Sequence, residues 1–262
     1  MFSGNNNLSQ YNPRNFIIWM TLAFQAGSIN AGGFLACHKF VTHTTGFATA
    51  FGAELAAGEL LAAVSMASVP LFFLAGTMIS AYLVDHQINQ HLRPRYNLIL
   101  MLIAGFMLLV TALGQSGAFG YFGNEYNSLA DYMLLALLSL TSGLQNAAIS
   151  SASGSSIRTT HLTGITTDLG IGIVRVLSVR TDEHKRTSES RANFTRAGII
   201  AFFILGSAFS AFVFMKSHFL GFLVPAGTAL AILISGLISR GHKTHPQEHS
   251  SSLGSMIGTL KG

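Results

Sequence analysis

The chain repeats itself, and this repeat constrains the fold more strongly than any other feature of the sequence. Three blocks return in the same order, roughly 116 to 130 positions further along. The paired blocks are 27–31 with 143–147, 41–49 with 159–167, and 72–82 with 202–212. An ordered repeat of this kind predicts two halves built from the same elements. In duplicated membrane proteins the binding site commonly lies where the two halves meet.

Composition indicates that both halves lie in a membrane. Of the 262 residues, 50% are hydrophobic and 10% are charged, whereas a soluble domain carries about 25% charged residues. Long apolar stretches recur along the chain, and such stretches are typical of membrane-spanning helices. The candidate spans are 16–36, 66–84, 98–113, 132–149, 197–215 and 219–238. We therefore predict an all-α integral membrane protein.

The polar tails 1–13 and 241–262 flank a single predicted transmembrane domain, 14–240. Within this domain, repeat one covers 14–115 and repeat two covers 130–240. Neither tail contains an apolar stretch long enough to form a span. The function is therefore expected to reside in the two repeats.

Charge and cysteine content exclude several classes of function. The formal net charge is +5, but the basic residues lie beside the apolar stretches, which is typical of membrane topology and not of a nucleic-acid interface. Cys37 is the single cysteine, so it can form neither an internal disulfide nor a thiolate metal site. We expect no metal, no cofactor and no nucleic-acid partner. The expected partners are the lipid bilayer and a small polar solute, and a homo-oligomer is compatible with the sequence.

The distribution of basic residues predicts the topology, because cytoplasmic loops collect Lys and Arg. Arg93 and Arg95 follow block 72–82, whereas the basic residues precede its second copy, 202–212. These preceding residues are Arg175, Arg180, Lys185, Arg186, Arg191 and Arg196. The two copies are therefore predicted to cross the membrane in opposite directions, as an inverted repeat with both termini cytoplasmic. The loop 116–131, which lacks Lys and Arg, is expected to lie outside.

This topology requires one non-crossing piece in each half. The available segments are 159–179, which is short, glycine-rich and polar at its start, and its counterpart 42–61, which carries Glu54 and Glu59. Backbone that enters a membrane without spanning it is tolerated only where it is buried in protein or lines a wet cavity. We predict a helical bundle of about six spans plus two broken or re-entrant elements. In the alternative, 42–61 spans the membrane and the N-terminus lies outside.

Each non-crossing piece contains a Thr-Gly pair, Thr45-Gly46 in the first half and Thr163-Gly164 in the second. Thr is a favourable N-cap and Gly allows close approach of another group, so a helix is predicted to start at each threonine. The free N–H groups and the dipole of a helix N-terminus attract anions. Two such termini inside an apolar bundle are predicted to form a polar substrate pocket. Ordinary re-entrant packing is the alternative interpretation.

His43 and His161 occupy equivalent positions just before these threonines. An imidazole titrates near neutral pH and can donate or accept a hydrogen bond, which suits substrate binding or proton coupling. The alternative is that both histidines are simply solvated at the membrane interface.

Amide side chains lie inside otherwise apolar predicted spans: Asn30 in the first half, with Gln25 near it, and Gln145 and Asn146 in the second. Such amides either hold helices together or contact a ligand. Nearby glycines favour the ligand interpretation, because they are expected to break or thin the helix. These glycines are Gly27, Gly32, Gly33 and Gly143.

Asp168 lies about one turn into the second non-crossing helix, where the first copy has Ala50. A carboxylate in a membrane segment is energetically costly and marks a candidate functional residue. We predict that Asp168 couples solute movement to the movement of protons or of another cation. Arg175, seven residues later on the same helix face, could instead form a structural ion pair with it.

These motifs together resemble the YoaK family of bacterial inner-membrane proteins. The residues that carry the resemblance are Gly27, Asn30, Ala31, His43, Thr45, Gly46, Gly143, Gln145, Asn146, Ala147, Thr159, Thr160, His161, Thr163, Gly164, Asp168 and Gly170. The similarity covers about residues 15–240 and contains both motif copies in the same order. It implies a multi-pass protein of the bacterial inner membrane and supplies no substrate.

The sequence thus favours a small secondary transporter for a polar solute, with anions among the candidates, driven by proton coupling and without enzymatic activity. One alternative is an intramembrane hydrolase that uses Ser153, His161 and Asp168. Another is a membrane scaffold that transports nothing. An enzyme site would use one half of the chain, whereas a transporter site would draw on both.

Overall fold

The computed structural model describes residues 12–124, 129–153, 162–178 and 182–241, without the side chains of 239–241. His161 and the rest of 154–161 lie outside the described residues. The helices are α1 Pro13–Cys37, α2 Thr44–Ala56, α3 Leu60–Leu83, α4 Asp85–Asn89, α5 Tyr96–Gln115, α6 Leu129–Ala152, α7 Leu162–Leu177, α8 Glu183–Ser217 and α9 Leu223–Gly241, with a 3-10 helix, His218–Phe222, between the last two. The described residues contain no strand, and the predicted all-α membrane bundle is confirmed.

The order of helix lengths is the same in the two halves. A long helix, a short helix and two further long helices follow one another as α1, α2, α3 and α5, and again as α6, α7, α8 and α9. The short helices α2 and α7 contain 13 and 16 residues. At about 1.5 Å per residue, they are roughly 20 and 24 Å long, which is less than the roughly 30 Å hydrocarbon core of a bilayer. Neither short helix can cross a membrane alone.

Four stretches of the described residues are long and apolar enough to cross a membrane: Leu60–Asn89, Tyr96–Gln115, Leu129–Ala152 and Glu183–Ile238. The last stretch has 56 residues and contains α8 and most of α9. Helix α1 is not among them, although its 25 residues are sufficient in length. Buried polar side chains such as Gln25 and Asn30 lower its hydropathy, so α1 depends on protein neighbours and not on lipid to cover its surface.

Two helix pairs form the most extensive contacts: α1 with α8, and α3 with α6. In the first pair, a methyl group added to Gly27 would overlap the main-chain carbonyl of Phe203. Likewise, one added to Gly206 would overlap the carbonyl of Phe24. Small residues of this kind allow the backbones of two membrane helices to approach closely.

The second pair repeats these contacts at the equivalent positions. A methyl group on Gly143 would overlap the carbonyl of Phe73, and one on Gly76 would overlap the carbonyl of Leu140. The first long helix of each half therefore packs against the third helix of the other half. This exchange joins the two halves into one bundle and fixes the register of the repeat.

The sequence predicts that the glycines of α1 break or thin the helix. The helix runs without interruption from Pro13 to Cys37, so the predicted break is wrong. The glycines instead leave room for neighbouring side chains. A Cβ on Gly32 would lie 2.6 Å from the ring of Phe214 and 2.7 Å from the ring of Phe222. The helix persists because the close packing at each glycine offsets its low helix propensity of about 1 kcal/mol relative to Ala.

Contacts between helix termini define two ends of the bundle. At the upper end, which holds 38–43, 116–124 and 218–222, the ring of His38 lies 3.2 Å from the carbonyl oxygen of Gly123. The ring of Phe122 also stacks on Phe214 at this end, with 5.9 Å between ring centroids.

The lower end holds 12–16, 85–96 and 183–196. Ser151 on α6 donates a 2.8 Å hydrogen bond to Asp85 on α4. The ring of Phe16 on α1 stacks on Phe194 of α8 at 5.4 Å. The C-terminus of α6 and the N-terminus of α1 therefore lie at the same end.

We expect Gly143→Ala to destabilise the bundle, because the added methyl group meets a main-chain carbonyl that cannot rotate away. Overpacking of this kind costs about 1–3 kcal/mol, and the melting temperature in detergent should fall. Gly105→Ala on α5 is the matched control: no atom lies within 4 Å of the added group, so the better helix propensity of Ala should preserve or raise the melting temperature. Equal melting temperatures of Gly143→Ala and the unmodified protein would contradict this account of α3–α6 packing.

Candidate functional site

The buried polar contacts between helices converge on α1. Gln25 donates through Nε2 to the carbonyl oxygen of Pro225 on α9 at 2.7 Å. Gln145 on α6 donates through Nε2 to the carbonyl oxygen of Leu22 on α1, also at 2.7 Å. These two predicted amides thus hold α1 between α6 and α9.

The orientation of both amides is determined by these carbonyls, because a carbonyl oxygen can only accept and must face the NH2 group. The opposite atom of each amide, Oε1, is buried and has no hydrogen-bond partner in the described part of the chain. Gln145 borders a cavity of about 20 Å³ whose other lining residues include Leu22 and Ile103. This volume suffices for about one water molecule.

Asn30 is joined to the chain that leads into α2. Its side-chain oxygen accepts a 3.1 Å hydrogen bond from the hydroxyl of Thr42, and both residues are buried. Asn146, the equivalent residue of the second half, is also buried. The predicted asparagines therefore lie inside the bundle, and Asn30 positions the entrance to the first short helix.

The two serines that follow the packing glycines behave differently. Ser210 on α8 donates a 2.8 Å hydrogen bond to the hydroxyl of Ser28 on α1. Its equivalent on α3, Ser80, is buried and has no hydrogen-bond partner among the described residues. The repeat explains the difference, because Leu144 occupies the position on α6 that corresponds to Ser28.

The Thr-Gly pairs lie on the surface of the chain and not in its interior. Helix α2 begins at Thr44 and not at Thr45, and His43 at the cap position makes no side-chain cap bond. Thr45 and Gly46 are exposed. Thr163 and Gly164 are likewise exposed, in a helix that begins at Leu162. The structure therefore does not bury the two N-termini, and solute binding by these residues stays a prediction.

His43 lies in an aromatic array at the upper end. Its ring is 5.1 Å from that of Phe40, and Phe40 in turn stacks on Phe34 at 4.6 Å. His43 and Gly46 line an open cavity of about 180 Å³. Two of the predicted site residues are thus brought together here, and His161 lies outside the described residues.

A larger cavity of about 700 Å³ lies at the upper end. It is lined by His38, Lys39, Glu54, Glu59, Leu61, Ala62, Ser65, Met66, Leu129 and Tyr132. His38 and Lys39 also line the smaller cavity. The volume lies within the range of roughly 300–1,000 Å³ that small-molecule sites occupy. The sequence identified Glu54 and Glu59 but gave no signal that Lys39 would be near them, because no periodicity relates a loop residue to α2 and α3.

The charged residues of the second half form an ion-pair network at the lower end. Glu189 on α8 lies 2.7 Å from a guanidinium nitrogen of Arg196 and 3.6 Å from one of Arg175. Asp168 is exposed on α7 and forms no ion pair with any residue that the structure describes. The alternative in which Arg175 pairs with Asp168 is therefore wrong, because α7 packs against α8 and brings Arg175 to Glu189.

Serine substitutions test the difference in hydrogen bonding between Ser210 and Ser80. Ser210→Ala removes the hydrogen bond to Ser28 and should lower the free energy of unfolding by about 1 kcal/mol. Ser80→Ala removes a buried hydroxyl that has no partner in the described part of the chain, and should leave stability unchanged or raise it. Thermal unfolding of both variants in the same detergent gives the comparison. A loss of stability in Ser80→Ala as large as that in Ser210→Ala would contradict the assignment.

Comparison with known proteins agrees with the motif analysis. A family model described as "Protein of unknown function (DUF1275)" matches residues 18–235. No curated protein and no solved structure matches the chain. The matched segment covers most of both repeats, and YoaK-like proteins belong to the same family, so the predicted resemblance is confirmed. The chain belongs to the DUF1275 family, whose YoaK-like members are uncharacterised membrane proteins.

Proposed function

We propose that the chain is a small secondary transporter of the bacterial inner membrane, which moves a polar solute between two inverted repeats. The observation that carries the proposal is the direction of corresponding helices. Helix α1 begins at the lower end beside α8 (Phe16 against Phe194), whereas its counterpart α6 ends there (Ser151 to Asp85). Inverted repeats of this kind are typical of transporters that alternate access to a site between the halves.

Charges at the two ends support an orientation with the lower end in the cytoplasm. Arg93, Arg95 and Lys185 lie at the lower end, next to membrane-spanning helices. Glu54 and Glu59 lie at the upper end. Lys and Arg accumulate on the cytoplasmic side of membrane proteins, so both termini are assigned to the cytoplasm and the large cavity to the outer face.

The short helices support a solute path. Helices α2 and α7 pack against the long helices that follow them, α3 and α8, and neither can cross the membrane alone. Their paired Thr-Gly starts, Thr45-Gly46 and Thr163-Gly164, are exposed polar groups in an otherwise apolar protein. Paired interrupted segments at equivalent positions are the best sequence indicator of a transporter site. The proposal assigns solute binding to these residues, to His43 and His161, and to the buried amides.

The proposal assigns no catalytic reaction to the chain. Ser153, the nucleophile of the hydrolase alternative, donates a 3.2 Å hydrogen bond to the carbonyl oxygen of Ser150 in its own helix. An enzyme site in the second half alone would also leave the matched residues of the first half without a role. Transport uses both copies.

Reconstitution into liposomes tests the proposal. Gly46→Val and Gly164→Val should each abolish solute uptake, because a branched side chain obstructs the helix N-terminus. Their folds should persist: only the Cβ of His43, 3.8 Å away, approaches a Cβ on Gly46, and no atom lies within 4 Å of one on Gly164. Gly52→Val, equally open, is the matched control and should transport normally. The outcome that refutes the proposal is no uptake of any polar solute by the unmodified protein under any pH or ion gradient.

Substitution of Asp168 tests proton coupling. Because Asp168 has no ion-pair partner among the described residues, Asp168→Asn should leave yield and melting temperature unchanged. Uptake driven by a pH gradient should vanish, while exchange of solute across the membrane persists, because the amide mimics a permanently protonated carboxyl group. Glu189→Gln is the contrasting variant: it removes the partner of Arg196 and should lower stability by about 1–3 kcal/mol. Gradient-driven uptake at the normal rate in Asp168→Asn would remove this residue from the mechanism.

A further inference from the structure

The large cavity at the upper end has two carboxylates on one wall. Glu54 lies in the last turn of α2, and Glu59 directly precedes α3. Gly58 between them has a φ of +83°, a conformation that favours glycine, and the main-chain N–H of Glu59 donates to the carbonyl oxygen of Glu54 at 2.9 Å. The side chain of Glu59 makes no cap bond to α3. Neither carboxylate has an ion-pair partner in the part of the chain that the structure describes.

The repeat identifies the equivalent place in the second half. The equivalent glycine–carbonyl contacts of Gly76 and Gly206 align the sequence of α3 with that of α8. Each residue that lines the cavity from α3 therefore has a known counterpart in the second half. Glu59, Ala62, Ser65 and Met66 correspond to Glu189, Ala192, Thr195 and Arg196. By the register of the Thr-Gly blocks, Glu54 on α2 corresponds to Gly172 on α7. The position of Glu59 is therefore a glutamate in both halves, whereas the position of Arg196 is an arginine only in the second half.

In the second half, the arginine fills this place. Arg196 donates to Oε1 of Glu189 at 2.7 Å and to Oδ1 of Asn193 at 2.7 Å. Side chains of the ion pair are only 15% and 19% exposed. A Cβ on Gly172 would lie 2.8 Å from the Arg196 guanidinium and 2.7 Å from Oε1 of Glu189. The guanidinium group thus occupies the space beside Gly172.

In the first half, the corresponding residues line the upper-end cavity. Met66 replaces the arginine, and a carboxylate, Glu54, replaces the glycine. An added negative charge and a missing arginine leave two carboxylates and one lysine, Lys39, in the cavity wall, where the second half has one glutamate paired with Arg196. We infer that the upper-end cavity binds the guanidinium group of a solute, with Glu59 and Glu54 as acceptors and the position of Arg196 as the internal example of the binding mode.

The chemistry of the cavity fits this cation. A guanidinium is planar, carries five N–H donors and matches a carboxylate with two parallel hydrogen bonds. Apolar residues on the walls, including Leu61, Met66 and Leu129, reduce the screening of charge by water.

This inference rests on the proposed function for its identification of the cavity as the outer entrance to a solute path. The first measurement is binding: thermal unfolding of the detergent-purified full chain with increasing methylguanidinium chloride, compared with tetramethylammonium chloride at the same ionic strength. Tetramethylammonium has the charge but no N–H donor. We expect a saturable rise in melting temperature with methylguanidinium alone, because a ligand of the folded state stabilises it by mass action.

Three variants locate the site. Glu59→Gln and Glu54→Gln should each weaken the apparent affinity by about tenfold or more, as expected for loss of one partner of a charge pair. Glu183→Gln, the same change at an exposed position on α8, should respond like the unmodified protein. Met66→Arg introduces the arginine of the second half beside the two glutamates and should abolish the response. Because Met66 is only 2% exposed and belongs to the hydrophobic core, this variant should also lower the basal melting temperature. If Met66→Arg does not fold, the two glutamine variants decide alone.

Equal responses to the two salts, or an unchanged response in both glutamine variants, would overturn the inference. Liposome uptake separates this outcome from failure of the proposed function. Uptake without a methylguanidinium response removes the guanidinium site and leaves the transporter. A methylguanidinium response without uptake of methylguanidinium or any other polar solute keeps the site and removes the transport.

Discussion

The bundle depends on contact between glycines of one half and main-chain carbonyls of the other. Lipid is as apolar as a leucine side chain, so helices in a membrane gain little from burying apolar surface and associate through close packing and hydrogen bonds. Gly27 and Gly206 bring α1 onto α8, and Gly143 and Gly76 bring α6 onto α3. The hydrogen bond from Ser210 to Ser28 crosses the same α1–α8 interface and therefore depends on this close approach.

The two halves share this scaffold but differ in what they build on it. The equivalents of Ser28 and Ser210 are Leu144 and Ser80, so one interface has a hydrogen bond that the other lacks. Glu59 and Glu189 also correspond, yet only Glu189 has an arginine partner among the described residues. Main-chain contacts preserve the fold, whereas the side chains beside them have diverged. The two halves therefore share their main-chain packing and differ in the chemistry of their side chains.

The sequence predicted the features that follow from periodicity and repetition: the all-α bundle, the repeat and the short helices. It did not predict which way a helix face points, because the outside of a membrane protein is as apolar as its core. Thr45 and Thr163 share a motif, but sequence spacing could not show that both are exposed. Arg175 and Asp168 share a helix face, yet Arg175 pairs with a residue of the next helix. The large cavity is formed by four separate segments, and no local pattern predicts such a site.

The exchange of partners between the halves has a consequence for biosynthesis. Helix α1 leaves the ribosome first, but its main packing partner, α8, is among the last helices made. Until then, Gln25 lacks the carbonyl group of Pro225, and Ser28 lacks the hydroxyl group of Ser210. Helix α1, which is not among the stretches apolar enough to be a candidate span, must therefore wait in the membrane, or at the translocon, for nearly the whole chain to be synthesised. The α1–α8 contact, which joins the two halves, therefore forms only when synthesis is nearly complete.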